Sequence, residues 1–164
     1  MSPVHIHLML THAPLFGTIV SLFLLIVAIW RRSDELKKVA FGLLVLSALV
    51  TLPLYFTGEA AEEAVEHLPG VAKGAIDQHE DAAKVAFAGI LVTGGVALAS
   101  FALFRRGRLV PKWFTSLVLV LSLVTALLTA WTANLGGKVR HTELGGGAAV
   151  SPTNAQSEEH YETH

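Results

Sequence analysis

The chain has 164 residues, of which 52% are hydrophobic and only 15% are charged. A soluble domain carries about a quarter charged residues, so this composition indicates a membrane protein. The net charge of −1 gives no electrostatic basis for binding nucleic acid. The absence of cysteine excludes disulfides, thiolate metal sites and covalently attached c-type haem, so any metal or haem would be held by histidine, methionine, carboxylate or backbone oxygen.

Four long apolar runs follow one another along the chain, over residues 13–30, 39–56, 82–104 and 113–133. A helix of about 20 residues crosses the ~30 Å hydrocarbon core of a bilayer. Because backbone groups in lipid must be paired within the segment, we predict an all-α integral membrane fold, a four-transmembrane-helix bundle formed by residues 1–143. Small residues are expected to let neighbouring helices approach closely. These are Gly42, Gly89, Gly94, Gly95 and Ala99.

Charge is distributed unevenly between the ends of these runs. The connections after the first and third runs are basic, and they contain Arg31, Arg32, Lys37, Lys38, Arg105, Arg106, Arg108 and Lys112. The connection after the second run is acidic. By the positive-inside rule the basic connections are cytoplasmic, which predicts that both termini and the acidic connection are extracytoplasmic. The expected location is a bacterial inner (cytoplasmic) membrane, with both termini periplasmic or extracellular.

The acidic connection is predicted to be helical. Residues 59–67 are helix-forming, residues 68–70 are Leu-Pro-Gly and break a helix, and helical character resumes over residues 71–81. The second and third helices are therefore expected to extend out of the bilayer as an acidic hairpin. The pair Gly136-Gly137 is expected to end the fourth helix, and residues 144–164 are expected to form a disordered C-terminal tail.

All eight histidines fall on the predicted extracytoplasmic side, and this one-sided distribution is the main functional signal. They are His5, His7, His12, His67, His79, His141, His160 and His164. Counting along the helices places both His5 and His79 ~39 Å above the basic connections, with His12 ~11 Å lower. His5 and His12 share one helix face, whereas His7 points away from His5.

Carboxylates lie at similar heights on the second helix. Glu62 and Glu63 are expected in the layer of His5 and His79, and Glu59 is expected just below it, beside His12. Imidazole and carboxylate together suit a metal ion such as Zn, Cu or Fe. The candidate metal ligands are His5, His12, Glu59, Glu62, Glu63 and His79.

Three hypotheses compete for this end of the bundle. In the first, two histidines from different helices ligate haem b in an electron-transfer protein. Its candidate ligands are His12 and His79 first, followed by His5, His7 and His141. In the second, the protein binds or handles a non-haem metal ion. In the third, the histidines only pair with neighbouring carboxylates in a structural or assembly subunit without a cofactor. A non-enzymatic subunit is favoured over an enzyme in all three, and homo- or hetero-oligomers are compatible with each.

The segment His7-Leu8-Met9-Leu10-Thr11-His12-Ala13-Pro14-Leu15 resembles the HPxxVHFPI opening of the DUF2231 family of predicted four-helix bacterial membrane proteins. The five-residue histidine spacing matches, and so does the proline two residues after the second histidine. Further points of similarity are Thr57-Gly58, His79 at the opening of the third helix, and residues 135–139. Ala13 replaces a phenylalanine of the family pattern and Leu8 replaces a proline.

This resemblance implies a respiratory, electron-transfer setting. No activity is established for the family, but some members are joined to Rieske iron–sulfur or cytochrome c domains, which makes such proteins the expected redox partners beside the lipid bilayer. By the family pattern the positions of interest are His7, His12 and His79. Helix facing instead pairs His5 with His12, so His12 is common to both arguments.

Overall fold

A computed structural model describes residues 10–58, 63, 73–104 and 109–140. Four α-helices follow one another within these residues: α1 (His12–Trp30), α2 (Asp34–Phe56), α3 (Lys73–Leu103) and α4 (Lys112–Arg140). Each helix is long and apolar enough to cross a membrane. The prediction of an all-helical chain with four membrane-length helices is confirmed. The C-terminal tail and most of the acidic connection lie outside the described residues.

The helices form a ring in which each one packs against two others: α1 against α2, α2 against α3, α3 against α4, and α4 against α1. Only residues 31–33 connect α1 to α2, and so short a connection makes the two helices antiparallel. The α3–α4 pair is also antiparallel, because Thr93 pairs with Thr125 near the helix centres while His79 near the start of α3 contacts Thr132 near the end of α4. α1 and α3 lie diagonally across the bundle. They begin at the same end, because Leu25 and Ala97, late in α1 and α3, share a buried cluster with Phe41 and Phe114, early in α2 and α4.

Two helix ends differ from the predicted runs. α2 begins at Asp34 and not at residue 39, because Ser33 is its N-cap and accepts a hydrogen bond from the Leu36 amide at 3.3 Å. The prediction that Gly136-Gly137 ends the fourth helix is wrong, since α4 continues to Arg140. Glycine inside a helix costs only about 1 kcal/mol relative to alanine, so tertiary contacts can override it.

The interior of the bundle contains an apolar cluster and a series of buried hydroxyl groups that continues from end to end. The cluster of aromatic and aliphatic side chains lies near residues 31–33, and Phe41 packs edge-on against Phe114 with ring centroids 6.1 Å apart. Its buried members are Leu25, Ala40, Phe41, Leu44, Ala97, Val110, Phe114 and Val118. Large apolar side chains also cover the outer surface, as expected where lipid is the solvent.

Every buried polar side chain among the described residues is a serine or threonine. They are Thr18, Ser21, Ser47, Thr51, Thr93, Ser100, Thr115, Ser122, Thr125 and Thr129. Most donate to a carbonyl one turn earlier in their own helix, as Thr18 does to Pro14 at 2.6 Å. An exception joins two helices, because the hydroxyls of Thr93 and Thr125 lie 2.8 Å apart. The described part of the interior therefore carries polar groups but no buried ionisable side chain.

Glycines allow close helix contacts at several positions, and two of these positions are on α3. A Cβ at Gly94 would lie 2.5 Å from the Cβ of Ala48, and a Cβ at Gly89 would touch Thr125, so α3 approaches both neighbours closely at these positions. At Gly42 and Gly95 an added Cβ would meet nothing within 4 Å. The sequence prediction of close approach thus holds for Gly89 and Gly94 and not for the two open glycines.

Two exposed tryptophans on α4 match the thickness of a bilayer. Trp113 and Trp131 are 18 residues apart, which is five full helical turns, so they lie on the same face of α4 and ~27 Å apart. Both are more than half exposed. Tryptophan concentrates at the two membrane–water interfaces, and ~27 Å is close to the ~30 Å hydrocarbon thickness. The two rings therefore indicate where α4 enters and leaves the hydrocarbon.

Candidate functional site

The described histidines lie at one end of the bundle. His12 begins α1 and His79 lies near the beginning of α3, and both helices begin at the end opposite residues 31–33. Glu63 is exposed and lies between α2 and α3 in the chain. The other predicted ligands lie outside the described residues. These are His5, His7, Glu59, Glu62 and His141.

His79 makes a hydrogen bond between two helices. Its imidazole is partly buried, and its Nδ1 lies 3.1 Å from the backbone carbonyl oxygen of Thr132 on α4. A carbonyl oxygen can only accept, so Nδ1 carries the proton and donates it. In the neutral ring the other nitrogen, Nε2, then has a free lone pair. The contact thus selects the tautomer in which Nε2 can act as a ligand or as a hydrogen-bond acceptor.

Gly136 provides the space that this imidazole occupies. A Cβ at Gly136 would lie 3.0 Å from Cε1 and 3.3 Å from Nδ1 of His79, closer than most carbon contacts. The absence of a side chain at this position lets the ring lie against α4, one turn beyond the carbonyl that it contacts. Trp131 precedes Thr132, so the ring is at the level of the interfacial tryptophan. This location is where a polar ring can be partly desolvated and still reach water.

The two carboxylates that follow His79 on α3 are engaged elsewhere. Glu80 forms an ion pair with Lys84 at 2.8 Å, and Asp81 lies 3.9 Å from the same ammonium group. Neither of them is the partner of the His79 Nδ1–H, which is held by the Thr132 carbonyl. The imidazole is therefore oriented by a neutral backbone acceptor.

His12 has different surroundings. Its ring is exposed and lies over Phe16 of the same helix, with centroids 6.3 Å apart and an interplanar angle of 24°. α1 is diagonal to α3, and no hydrogen bond or ring contact joins His12 to His79. Among the described residues, no three His, Asp or Glu side chains are grouped so that they could hold a metal ion. The described part of the chain thus supplies the two imidazoles of His12 and His79, and any ligands besides these would come from the segments before residue 10, after residue 140 or between α2 and α3.

Sequence reasoning missed two residues of this site, Thr132 and Gly136. A glycine pair placed inside an apolar helical run was a usable signal, because an internal glycine is destabilising unless a neighbour needs the space. No pattern in the sequence could identify the Thr132 carbonyl, which is 53 residues from its partner.

Comparison of the chain with protein-family models, with curated proteins and with solved structures finds no match in any of the three. The resemblance to the DUF2231 family therefore stays a prediction.

Proposed function

We propose that the protein is a membrane electron-transfer component that holds a redox cofactor at its histidine-bearing end, with Nε2 of His79 as one ligand. The observation that carries this proposal is the hydrogen bond from Nδ1–H of His79 to the Thr132 carbonyl. Metal-ligating histidines commonly donate their other N–H to a carbonyl or carboxylate, which fixes the tautomer and raises the basicity of the ligating nitrogen.

Haem b is the preferred cofactor, because bis-histidine ligation needs no cysteine and helical bundles hold cofactors between facing helices. His79 would hold the haem together with a second histidine, either His12 or one of His5, His7 and His141. When bound there, haem supplies reversible one-electron chemistry, and the chain's own residues fix the orientation of the ligand and its access to water. A single Zn, Cu or Fe ion held by His79 with His5, His12 or the glutamates Glu59, Glu62 and Glu63 is the alternative occupant.

One observation also favours a different class of function. The His79–Thr132 hydrogen bond and the close packing of the ring on Gly136 join α3 to α4, so the same contact can serve as a structural link. A cofactor-free structural or assembly subunit needs nothing more from His79. In the electron-transfer function the Nε2 lone pair of His79 binds haem or a metal ion, whereas in the structural function it has no ligand role.

The test compares three variants of purified protein by haem assay, elemental analysis and thermal unfolding. The electron-transfer proposal predicts that wild-type protein contains stoichiometric haem or metal and that His79→Ala and His79→Gln both lose it. Gln78→Ala, a change at the exposed neighbour, is the matched control and retains the cofactor. Glutamine keeps an N–H donor for the Thr132 carbonyl, so the structural alternative predicts a wild-type protein without cofactor, destabilised by His79→Ala and restored by His79→Gln.

The proposed orientation places the histidine-bearing end and both termini outside the cytoplasmic membrane of a bacterium. The basic connections support it through the positive-inside rule. The chain has no native cysteine, so single cysteines report their side of the membrane cleanly. In intact cells a membrane-impermeant maleimide should label Gly74→Cys, at the start of α3, and should label Leu109→Cys, before α4, only after lysis. The reverse pattern would show that the orientation is inverted.

The partner proposal rests on the resemblance of residues 5–143 to DUF2231 proteins. A Rieske-type or cytochrome c-type protein would exchange electrons with the cofactor at the extracytoplasmic face. The exposed position of His12 is compatible with a site that a soluble carrier can approach from that side.

A further inference from the structure

A pair of threonines joins α3 to α4 in the interior of the bundle. The hydroxyl oxygens of Thr93 and Thr125 lie 2.8 Å apart, and the Thr125 hydroxyl donates to the backbone carbonyl of Gly89 at 3.2 Å. Thr125 has a single hydroxyl proton, so both hydrogen bonds form together only when Thr93 is the donor of the first. The two bonds then run from Thr93 to Thr125 and back to α3 at Gly89, and they enclose one turn of that helix.

Other buried hydroxyls on the same face of α4 are used within that helix. Ser122 donates to the carbonyl of Val118 at 2.7 Å, and Thr129 donates to the carbonyls of Thr125 and Ala126 at 2.9 and 3.0 Å. A bond of this kind to a carbonyl one turn earlier is the usual state of a helical serine or threonine. Thr125 departs from it, because its hydroxyl bonds to α3 on both sides.

The contact between His79 and Thr132 lies on the same seam between α3 and α4, nearer the histidine-bearing end. On α3, His79 is 14 residues before Thr93. On α4, Thr132 is seven residues after Thr125. Both spacings are close to whole numbers of helical turns, so in each helix the two residues share one face. The seam therefore carries two interhelical polar contacts at different heights.

Each of these contacts lies against a glycine of the opposite helix. A Cβ at Gly89 of α3 would lie 3.4 Å from the hydroxyl oxygen of Thr125, and a Cβ at Gly136 of α4 would lie 3.0 Å from Cε1 of His79. Small buried residues occupy the same face of α3 between the two contacts. They are Ala82 and Ala86. Because closely packed interiors transmit strain, a displacement of α3 at one contact is passed on to the other.

We propose that Thr93 and Thr125 position His79 by fixing how far α3 can slide along α4. Close packing of small apolar residues has no strongly preferred register, whereas a hydrogen bond between hydroxyls is directional. Nδ1 of His79 is 3.1 Å from the Thr132 carbonyl oxygen, and a separation of about 3.6 Å is no longer a hydrogen bond. A relative shift of ~0.5 Å along this bond is therefore enough to release the imidazole.

The two threonines are positioning residues, because they act on His79 through the helices. The importance of this positioning for a cofactor rests on the proposed electron-transfer function, in which Nε2 of His79 is a ligand. The positioning itself does not rest on it, because Nδ1 carries the donated proton whether Nε2 is ligated or free. The cofactor content of wild-type protein tests the function, and the state of the Nδ1–H proton tests the positioning.

The experiment observes the Nδ1–H cross-peak of His79 by ¹H–¹⁵N NMR of full-length protein in detergent, with ¹⁵N in the histidine rings. The protein is kept reduced, since a reduced bis-histidine haem is diamagnetic. The chain has eight histidines, and the His79 cross-peak is the one that is lost in His79→Gln. A ring proton held by a carbonyl exchanges slowly with water, so its cross-peak reports the contact. Helical circular dichroism and the thermal unfolding midpoint of each variant are measured in parallel.

Four variants separate positioning from general stabilisation. Thr125→Val removes both bonds to α3 and should lose the His79 cross-peak. Thr93→Val leaves the second bond to α3 in place, so the cross-peak should remain but exchange faster with water. Thr125→Ser keeps the hydroxyl and should behave as wild type. Thr129→Val is the matched control, because it makes the same change at a buried hydroxyl that bonds to carbonyls of α4, and the cross-peak should be unchanged.

A wild-type cross-peak in folded Thr125→Val, even with a lowered unfolding midpoint, would overturn the proposal, since the threonines would then only stabilise the bundle. An equal loss of the cross-peak in Thr129→Val would also overturn it, because proximity to His79 and not the interhelical bond would be the cause. Should Thr125→Val fail to fold, the exchange rate in Thr93→Val decides: a faster rate supports the positioning, and a wild-type rate refutes it.

Discussion

Replacing Gly94 with alanine should separate α3 from α2. The new Cβ would lie 2.5 Å from the Cβ of Ala48 and 3.2 Å from the carbonyl oxygen of Leu44. Since carbon atoms pack best at about 3.5–4.0 Å, the two helices would have to move apart by ~1 Å. Neither contact atom is the end of a flexible side chain, so the backbone must move. Overpacking of this kind costs about 1–3 kcal/mol.

Gly95→Ala is the matched control for this change. It lies in the same helix, and its Cβ would meet nothing within 4 Å. The gain in helix propensity, about 1 kcal/mol, is shared by both variants and cancels in their difference. Gly94→Ala should therefore have a free energy of unfolding about 1–3 kcal/mol below that of Gly95→Ala, measured by circular dichroism during titration of mixed micelles with sodium dodecyl sulfate.

A compensating change identifies the clash. Ala48→Gly removes the methyl group that the new Cβ would meet, so the double variant Gly94→Ala/Ala48→Gly should recover part of the loss, and the two effects should not be additive. Equal stability of Gly94→Ala and Gly95→Ala would refute the α2–α3 packing described above.

Two further predictions concern the α3–α4 pair. The hydroxyls of Thr93 and Thr125 are 2.8 Å apart, so a double-mutant cycle with Thr93→Val and Thr125→Val should give a coupling free energy of about 0.6–1.7 kcal/mol in the same unfolding assay. Additive effects of the two substitutions would contradict an interhelical hydrogen bond. Gly136→Ala should displace the His79 ring from the Thr132 carbonyl and change its Nδ1 resonance in ¹⁵N NMR, whereas Gly137→Ala, where an added Cβ has open space, should leave that resonance unchanged.

The number and length of the helices could be predicted because hydropathy and the bilayer thickness are local constraints on the sequence. The four apolar runs lie within α1 to α4 except at one end, where the third run includes residue 104 and α3 ends at Leu103. The start of α2 was predicted five residues too late, although Ser33 followed by Asp34 and Glu35 is a helix N-terminal pattern. The end of α4 could not be predicted. The sequence shows that Gly136 lowers helix stability, but it does not show that the His79 imidazole occupies the space beside it.

The candidate site was predictable only as a location. The one-sided distribution of histidines predicts one end for His12 and His79, and the helices that carry them, α1 and α3, both begin at the end opposite residues 31–33. The tautomer of His79 depends on a carbonyl 53 residues away, and backbone carbonyls have no side-chain identity that a sequence pattern could reveal. Helix rise predicts the heights of His12 and His79 in the bundle. It does not predict the order in which the helices pack, which makes α1 and α3 diagonal to each other.

The absorption spectrum of the purified wild-type protein, oxidised and reduced, with elemental analysis of the same sample, tests the proposed electron-transfer function most directly. We predict a stoichiometric haem with a Soret band that shifts on reduction, and the loss of this band in His79→Ala. A sample without a Soret band but with stoichiometric Zn, Cu or Fe would move the assignment to a metal ion. A protein without a Soret band and without metal would contradict the proposal and leave His79 as a link between α3 and α4.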